Sequence, residues 1–412
     1  MKTAAVDPRL HRAQANAGSK NVISASLVAA VIFITAIAPL ATDMYVPAFP
    51  MVSADLGATA TQVQLTLTTF FAGMGLGQLV GGPFSDQRGR RWPLLAGTLV
   101  VFVASVFCAL APSVVAMMVA RFVQGFAGGW AMVIGRAIII DLISGSQLVR
   151  VLNIVAGVGG ISPVISPLLG AGILQVSHWR TAFWALAATG IVMALCVVFI
   201  VPESLPRERR HNGGLGNSVR AARALLGNRE YVGYMIVSSA VMIALFAYVA
   251  TSAFVLQSMN GLSPLAYSVV FAANAAGAAL TALISARLAG RVSTRKIIRT
   301  GLVVDLAAGG VMLISALWLG TPLLAALCCF LAVMVAQGLL GANAGALAAE
   351  AAPEHPGTGS ALLGMTQWVA AGVAAPIAGI GGSQTAVPMA TLIVAGTLIA
   401  FVGLAIARRP LK

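Results

Sequence analysis

Charge is what this chain has least of. Of 412 residues, 9 % are Asp, Glu, Lys or Arg, against about 25 % in soluble domains, while 59 % are hydrophobic. A soluble core cannot absorb that much apolar surface, so lipid is the solvent for most of the chain. The acids number only 11 against 25 Lys and Arg. They are too dispersed for a membrane-embedded enzyme, and the protein is read as a non-enzyme. The four histidines (His11, His178, His211, His355) are scattered, and Cys108, Cys196, Cys328 and Cys329 all lie inside apolar runs. Neither set has metal-ligand spacing, so no metal centre is expected and the cysteines read as small buried hydrophobes. No Gly-Lys pair occurs, which removes the phosphate loop and with it an ATP-driven pump in this chain. No cofactor is expected, and any driving energy must come from a gradient. Before residue 20 there is no short apolar core with a small-residue cleavage site, so the first apolar run is expected to be a retained anchor.

Long apolar runs are what the chain does have. A spanning helix takes about 20 mostly apolar residues. Such runs occur near 23–47, 62–81, 93–111, 114–136, 149–174, 180–201, 231–257, 266–288, 299–319, 322–349, 358–380 and 386–407. The fold class expected is therefore an all-α membrane protein with twelve transmembrane helices in two six-helix halves. The net charge of +14 suggests nucleic acid until the cations are placed. The N-terminal tail, the loop after the second run, the connection holding Arg136 and Arg150, the middle loop, the loop after the eighth run and the C-terminal tail hold 23 of the 25. That alternation puts both termini in the cytoplasm and removes nucleic acid as a partner. The expected units are a tail (1–22), a half (23–201), a linker (202–230), a second half (231–407) and a short tail (408–412). Within the linker, Ser218 to Leu226 could form an amphipathic helix lying on the inner leaflet.

The halves echo one another. Shifting by 204 residues brings Leu288–Arg295 onto Phe84–Arg91, with the final cation kept and Gly290 standing where Asp86 stands. The stretch Gly82-Pro83-Phe84-Ser85-Asp86-Gln87-Arg88-Gly89-Arg90-Arg91 reads as a charged turn between two spans, with Pro83 bending or ending the preceding helix. Asp141, at the end of the fourth run, is within reach of Arg90.

Two charges lie where charge costs about 2.5–3.5 kcal/mol: Asp43 in the first run and Arg121 in the fourth. Both are expected at similar depth, facing each other across an interior cavity. As structure, the pair would lock two helices. As machinery, Asp43 would take up a proton and free Arg121. Asp305 is expected to be a local partner for Arg299 or Arg295. Tyr45, Gln124, Trp130, Tyr248, Gln257, Asn343 and Trp368 are the expected lining of a cavity for flat lipophilic molecules, with Phe246 and Phe254 as further aromatics. Each could equally be a packing or belt residue, and most intramembrane amides could serve as interhelical hydrogen bonds.

The charged turn resembles the loop between helices two and three of the major facilitator superfamily. Thr42-Asp43-Met44-Tyr45-Val46-Pro47 is similar to the first-helix signature of its bicyclomycin- and chloramphenicol-resistance (Bcr/CflA) branch. Arg121-Phe122-Val123-Gln124-Gly125 resembles the helix-four motif tied to proton transfer, and Ser162-Pro163-Val164-Ile165-Ser166-Pro167-Leu168-Leu169-Gly170 the antiporter motif of helix five, with Ser162 in place of the usual glycine. The resemblance implies proton-driven antiport of drugs from the cytoplasm by a monomer in the plasma membrane, its partners being drug, protons and lipid. It implies a cytoplasmic latch of Gly82, Asp86, Arg88, Gly89, Arg90, Arg91 and Asp141, and a hinge of Pro163, Pro167 and Gly170. The alternative is proton-linked uptake or facilitated transport of a metabolite by the same fold.

Overall fold

The computed structural model describes residues 24–143, 145–210, 215–288, 290–354 and 356–407; both expected tails, 1–22 and 408–412, lie outside the described residues. The chain folds into α1 (Ala25–Asp55), α2 (Ala60–Arg88), α3 (Arg91–Ala109), α4 (Val114–Leu142), α5 (Gly145–Val176), α6 (Trp179–Phe199), a short α7 (Leu215–Gly227), α8 (Arg229–Met259), α9 (Pro264–Leu288), α10 (Thr294–Trp318), α11 (Leu323–Glu350), α12 (Pro356–Ala378) and α13 (Val387–Ile406). There is no β-strand among the described residues. Among the described residues, eleven helices are long and apolar enough to cross a membrane: α1–α4, α6 and α8–α13. The remaining expected run, 149–174, falls within α5, a continuous helix of 32 residues. Large apolar side chains such as Phe107, Val115, Leu283, Val311 and Trp318 face outward, as a lipid-facing surface requires.

Local chemistry sets the helix ends. Thr59 and Gln62 form a reciprocal capping box at the start of α2, Ser113 caps α4, and Asn228 accepts from the N–H groups of Glu230 and Tyr231 at the start of α8. Each satisfies donors that the first turn leaves free. At the other end of α2 the chain departs from expectation. The charged stretch is not a loop: the helix continues through Gly82 and Pro83 to Arg88 and stops only at Gly89, whose φ of +93° suits a residue without Cβ. A proline removes one backbone donor, and a helix supported by neighbours on both sides survives that loss.

In α1 the prolines act more strongly. The helix slackens after Asp43 into a tight 3₁₀ turn over Val46–Ala48 before resuming, because Pro47 has no N–H to offer the Asp43 carbonyl. The last stretch of α8, Phe254–Met259, widens into a π-turn. Both distortions lie at the same end of the molecule, where these helices touch.

Helices α1–α6 pack among themselves, as do α8–α13, and the pairings of the first group recur in the second: α2 on α4 as α9 on α11, α3 on α6 as α10 on α13. The groups meet along α2 with α12 and α5 with α9. The tightest crossing is α2 on α4. Gly73 and Gly77 lie against the Phe122 and Phe126 carbonyls, and Gly125 and Gly129 against those of Phe70 and Met74; a Cβ at any of them would collide with backbone. Small residues four apart on both helices are what allow this approach. Helix α7 packs on α8 and α12, with Leu225 buried beside Tyr231 and Ala352 and Leu226 exposed.

Candidate functional site

Every hydrogen bond between the two helix groups, among the described residues, lies at one end of the bundle. There Gln257 Nε2 donates to the Pro47 carbonyl at 3.0 Å, Gln64 Nε2 to the Ala250 carbonyl at 2.9 Å and Thr61 Oγ1 to the Gly379 carbonyl at 2.5 Å. The Phe49 and Phe254 rings meet at 6.0 Å beside them. Beyond this seal the groups part around a cavity of about 750 Å³. It runs from Asp43 and Phe271 to Ile140 and Ser360, and α1, α2, α4, α5, α8, α9, α11 and α12 all contribute to its wall. A larger basin of about 1460 Å³, lined by Arg229, Ser293 and Glu350, lies among helix ends of the second group only and is not between the groups.

Asp43 is the one carboxylate lining the cavity among the described residues. It accepts a hydrogen bond from Thr42 Oγ1 at 3.0 Å, and no described cation stands within salt-bridge distance of it. The same Thr42 hydroxyl lies 3.0 Å from the Ala38 carbonyl, so its single proton is shared between the two acceptors. Tyr248 and Tyr267 lie within electrostatic reach of Asp43.

Arg121 does not face Asp43 across that cavity, contrary to expectation. Its side chain is fully buried on the far side of α1, over the rings of Phe70 (4.3 Å), Tyr45 (5.3 Å) and Phe183 (5.8 Å). Nη1 donates to the Ala41 carbonyl at 3.0 Å and to Gln124 Oε1 at 2.7 Å, while Nε and Nη2 make no hydrogen bond with a described residue. The reason is helical phase. Residues four apart share a face, so Thr35, Pro39 and Asp43 look into the cavity while Ala41 and Tyr45 look toward Arg121. Acid and base reach a similar level but sit on opposite sides of one helix.

The charged cluster at the opposite end is built around Arg90, which is buried. It pairs with Asp86 (2.5 Å) and Asp141 (2.9 Å) and donates to Ser85 Oγ (2.7 Å). Burial works against its charge, but Asp141 and Asp86 hold the guanidinium above its ordinary value, so it stays charged at any working pH. Glu203, at the end of the sixth run and the start of the linker and not among the expected latch residues, is the missed member. Its carboxylate accepts from the backbone N–H groups of Arg90 (2.7 Å) and Arg91 (3.3 Å), capping the start of α3. Ser204 Oγ adds a bond to Asp141 at 3.1 Å. Arg91 donates to the Val198 carbonyl at 2.6 Å. Arg88 stands outside the cluster, exposed and stacked over Phe84 at 4.8 Å. The cluster ties α2, α3, α4 and the chain after α6, and reaches no helix of the second group.

The geometry is that of two similar helix groups parted around a central cavity, and the sequence comparison gives this arrangement its family. Residues 31–376 match the model of the Major Facilitator Superfamily. The chain belongs to that superfamily. This facilitator, a multi-pass membrane transporter, is 33 % identical over 371 residues to the MFS-type transporter YdgK of Bacillus subtilis, covering 89 % of this chain and 92 % of that one. It is 29 % identical over 356 residues to a bicyclomycin resistance protein homolog of Haemophilus influenzae, covering 85 % and 88 %. Its fold is shared with a crystal structure of a bacterial homolog of the human lysosomal transporter Spinster, in an inward-facing and unoccupied conformation, at a TM-score of 0.74 and 17 % identity over 95 % of this chain and 97 % of that one.

Of the seven residues expected to line the facilitator's cavity, only Trp368 does, joined by Phe246. Tyr45 sits under Arg121, its hydroxyl accepting from Thr66. Gln124 relays Arg121 to Ser105, and Trp130 pins α4 to α3 through the Pro93 carbonyl at 2.9 Å. Tyr248 accepts from Asn274 and stacks on Phe271, and Asn343 donates to Ser285 between α9 and α11. Gln257 belongs to the seal, as does Phe254. Polar groups inside lipid spend their hydrogen bonds on neighbouring helices first, so amides and phenols were poor markers of the cavity. Phe71, absent from the expected set, lines it; an aromatic run alone could not show which ring faces inward.

Two further expectations are corrected. Asp305 is buried, accepts from Thr397 Oγ1 at 2.7 Å and pairs with neither arginine; Arg295 instead grips the carbonyls of Leu404 (2.9 Å) and Ala407 (3.0 Å). Arg136, counted as a connection cation, lies inside α4 and lines the cavity. In α5, Pro163 lines the cavity, Pro167 is buried within the continuous helix, and Gly170 abuts the Met44 carbonyl of α1.

Proposed function

We propose that this facilitator exports small amphiphilic drugs, such as chloramphenicol- or bicyclomycin-like compounds, across the cytoplasmic membrane in exchange for protons. The reading takes the chain as twelve spans in two six-helix halves with both termini inside, working as a monomer. The observation that carries it is Asp43: one carboxylate, unpaired, on the wall of a cavity lined mainly by apolar and aromatic side chains. A carboxylate held there can be neutralised by a proton or by a donor on a bound molecule, but not by both. Proton and substrate therefore compete, and that competition is the elementary requirement for exchange.

The Arg90 cluster, placed inside by the alternation of basic residues, marks the end where the halves part, so the described state is open to the cytoplasm. Protonation of Asp43 would favour the return between states. Arg121, on the other face of α1, holds the Ala41 carbonyl, so α1 can respond to Asp43 as a unit tied to α4. The kink after Asp43 and the prolines of α5 supply places where these helices can bend. One proton moving down 100 mV supplies about 2.3 kcal/mol, enough for an accumulation of roughly fiftyfold at one proton per drug. The relative of Haemophilus influenzae named for bicyclomycin resistance supports the export reading.

The test is transport in proteoliposomes of the purified chain, with radiolabelled chloramphenicol and an imposed pH gradient. Export predicts accumulation on the side from which protons leave. Movement of drug together with protons, or indifference to the gradient, would replace antiport with uptake or facilitated transport.

A further inference from the structure

The cavity holds one more charge than the transport reading uses. Among its described lining residues Arg136 is the only cation. Its side chain is exposed within the cavity and makes no hydrogen bond or ion pair with a described residue. The adjacent Gly135 packs against Thr35 of α1, which places Arg136 at that level. Asp43 lies eight residues further along α1, roughly 12 Å away along the axis at about 1.5 Å per residue. Between the two levels stand three rings from three helices: Phe71 with Phe246 at 4.5 Å and with Trp368 at 5.4 Å, the second pair stacked.

An acid at one depth, a base at another and an aromatic cluster between them make a site of fixed polarity. A guanidinium in a low-dielectric cavity without a partner attracts a carboxylate or another strong acceptor. A lipophilic cation would gain at Asp43 but be repelled at Arg136; an aromatic anion would meet the reverse.

We infer that Arg136 is the specificity-determining cation of this cavity, and that the preferred substrate is a bipolar aromatic molecule. Its acceptor or anionic end lies on Arg136, its ring among Phe71, Phe246 and Trp368, and its donor or cationic end at Asp43. This rests on the transport reading only in taking the cavity as the substrate site; the donor end is the part that competes with the proton.

The experiment is direct binding to the purified full-length protein in detergent, with three probes of one skeleton. These are ciprofloxacin, whose carboxylate and piperazinium flank an aromatic core, its methyl ester, and its N-acetylpiperazine derivative. The wild type is expected to bind the zwitterion at least about tenfold more tightly than either blocked form, one charge-assisted contact being about a factor of ten or more. In Arg136→Ala the preference over the ester disappears while ester affinity stays within about twofold; Arg136→Lys restores part of it. Arg136→Gln keeps the bulk and serves where the alanine variant does not purify as a monodisperse species. Asp43→Asn removes only the preference over the N-acetyl form. Equal affinity of the wild type for acid and ester, an acid preference that survives in Arg136→Gln, or no saturable binding of any probe would overturn the inference. Since no gradient is present, loss of proton coupling in vesicles with this binding pattern intact would count against antiport and leave the inference standing.

Discussion

Gln257 of α8 donates its side-chain amide to the main-chain carbonyl of Pro47 in α1 at 3.0 Å, joining the two helix groups at the one place where both helices leave regular geometry. Pro47 is the residue that slackens α1, and Gln257 sits in the π-turn that ends α8. The link is a side-chain amide on a main-chain carbonyl, and it ties the two distorted segments together. With Gln64 and Thr61 it forms a short seal whose bonds are individually worth only about 1 kcal/mol.

A seal of that strength is easily biased. Gln257→Ala should shift the population toward the oppositely open state by about fivefold, the factor that about 1 kcal/mol implies. Spin-label distances across the Phe49–Phe254 end report this directly; an unchanged distribution would show that ring packing alone holds the closure.

Asp43→Asn should fold normally, since among the described residues the side chain makes a single hydrogen bond, from Thr42. Gradient-driven accumulation should vanish while substrate exchange without a gradient persists. Full accumulation in that variant would remove Asp43 as the coupling group.

The α2–α4 crossing allows no side chain. Gly77→Val would drive a methyl group into the Phe126 carbonyl and should cost more than the roughly 1–3 kcal/mol of ordinary overpacking, because backbone cannot yield as a rotamer does. Loss of the monodisperse peak in size-exclusion chromatography is the expected readout, while Gly172→Ala, where nothing crowds the added atom, should behave as wild type.

Within the Arg90 cluster the two acids should differ. Asp141 is 19 % exposed and Asp86 50 %. Asp141→Ala strips a charged bond from a buried guanidinium and should cost about 1.5–3 kcal/mol; Asp86→Ala breaks a half-exposed helical pair and should cost no more than about 1 kcal/mol. Because Arg90 is held above its ordinary range, its contribution is lost only as pH rises past that raised value, so the Asp141→Ala effect should not fade between mildly acid and mildly alkaline conditions. Melting temperatures of the two variants across that range check both statements.

The internal repeat shows how far a sequence echo can be read. Shifted by 204 residues, Arg295 falls on Arg91, and the two do the same work. Arg91 holds the Val198 carbonyl near the end of α6, and Arg295 holds the Leu404 and Ala407 carbonyls at the end of α13. A cation on unpaired helix-terminal carbonyls is a local solution that survives duplication. Where Asp86 stands in the first half, the second half has Gly290.

Hydropathy and the placement of cations determined the membrane class and the order of the apolar runs, because lipid imposes those constraints on each helix separately, and the motifs around Asp43, Asp86, Arg121 and Pro163 carried the resemblance to the family. What only the tertiary structure decided is direction. Asp43 and Arg121 differ by helical phase and so never met; Gln257, Tyr248 and Asn343 turned to neighbouring helices; Arg136, counted among loop cations, turned inward. Phase depends on where a proline slackens α1 and on how closely glycines let α2 approach α4, and those are relations between helices that no single run of residues encodes.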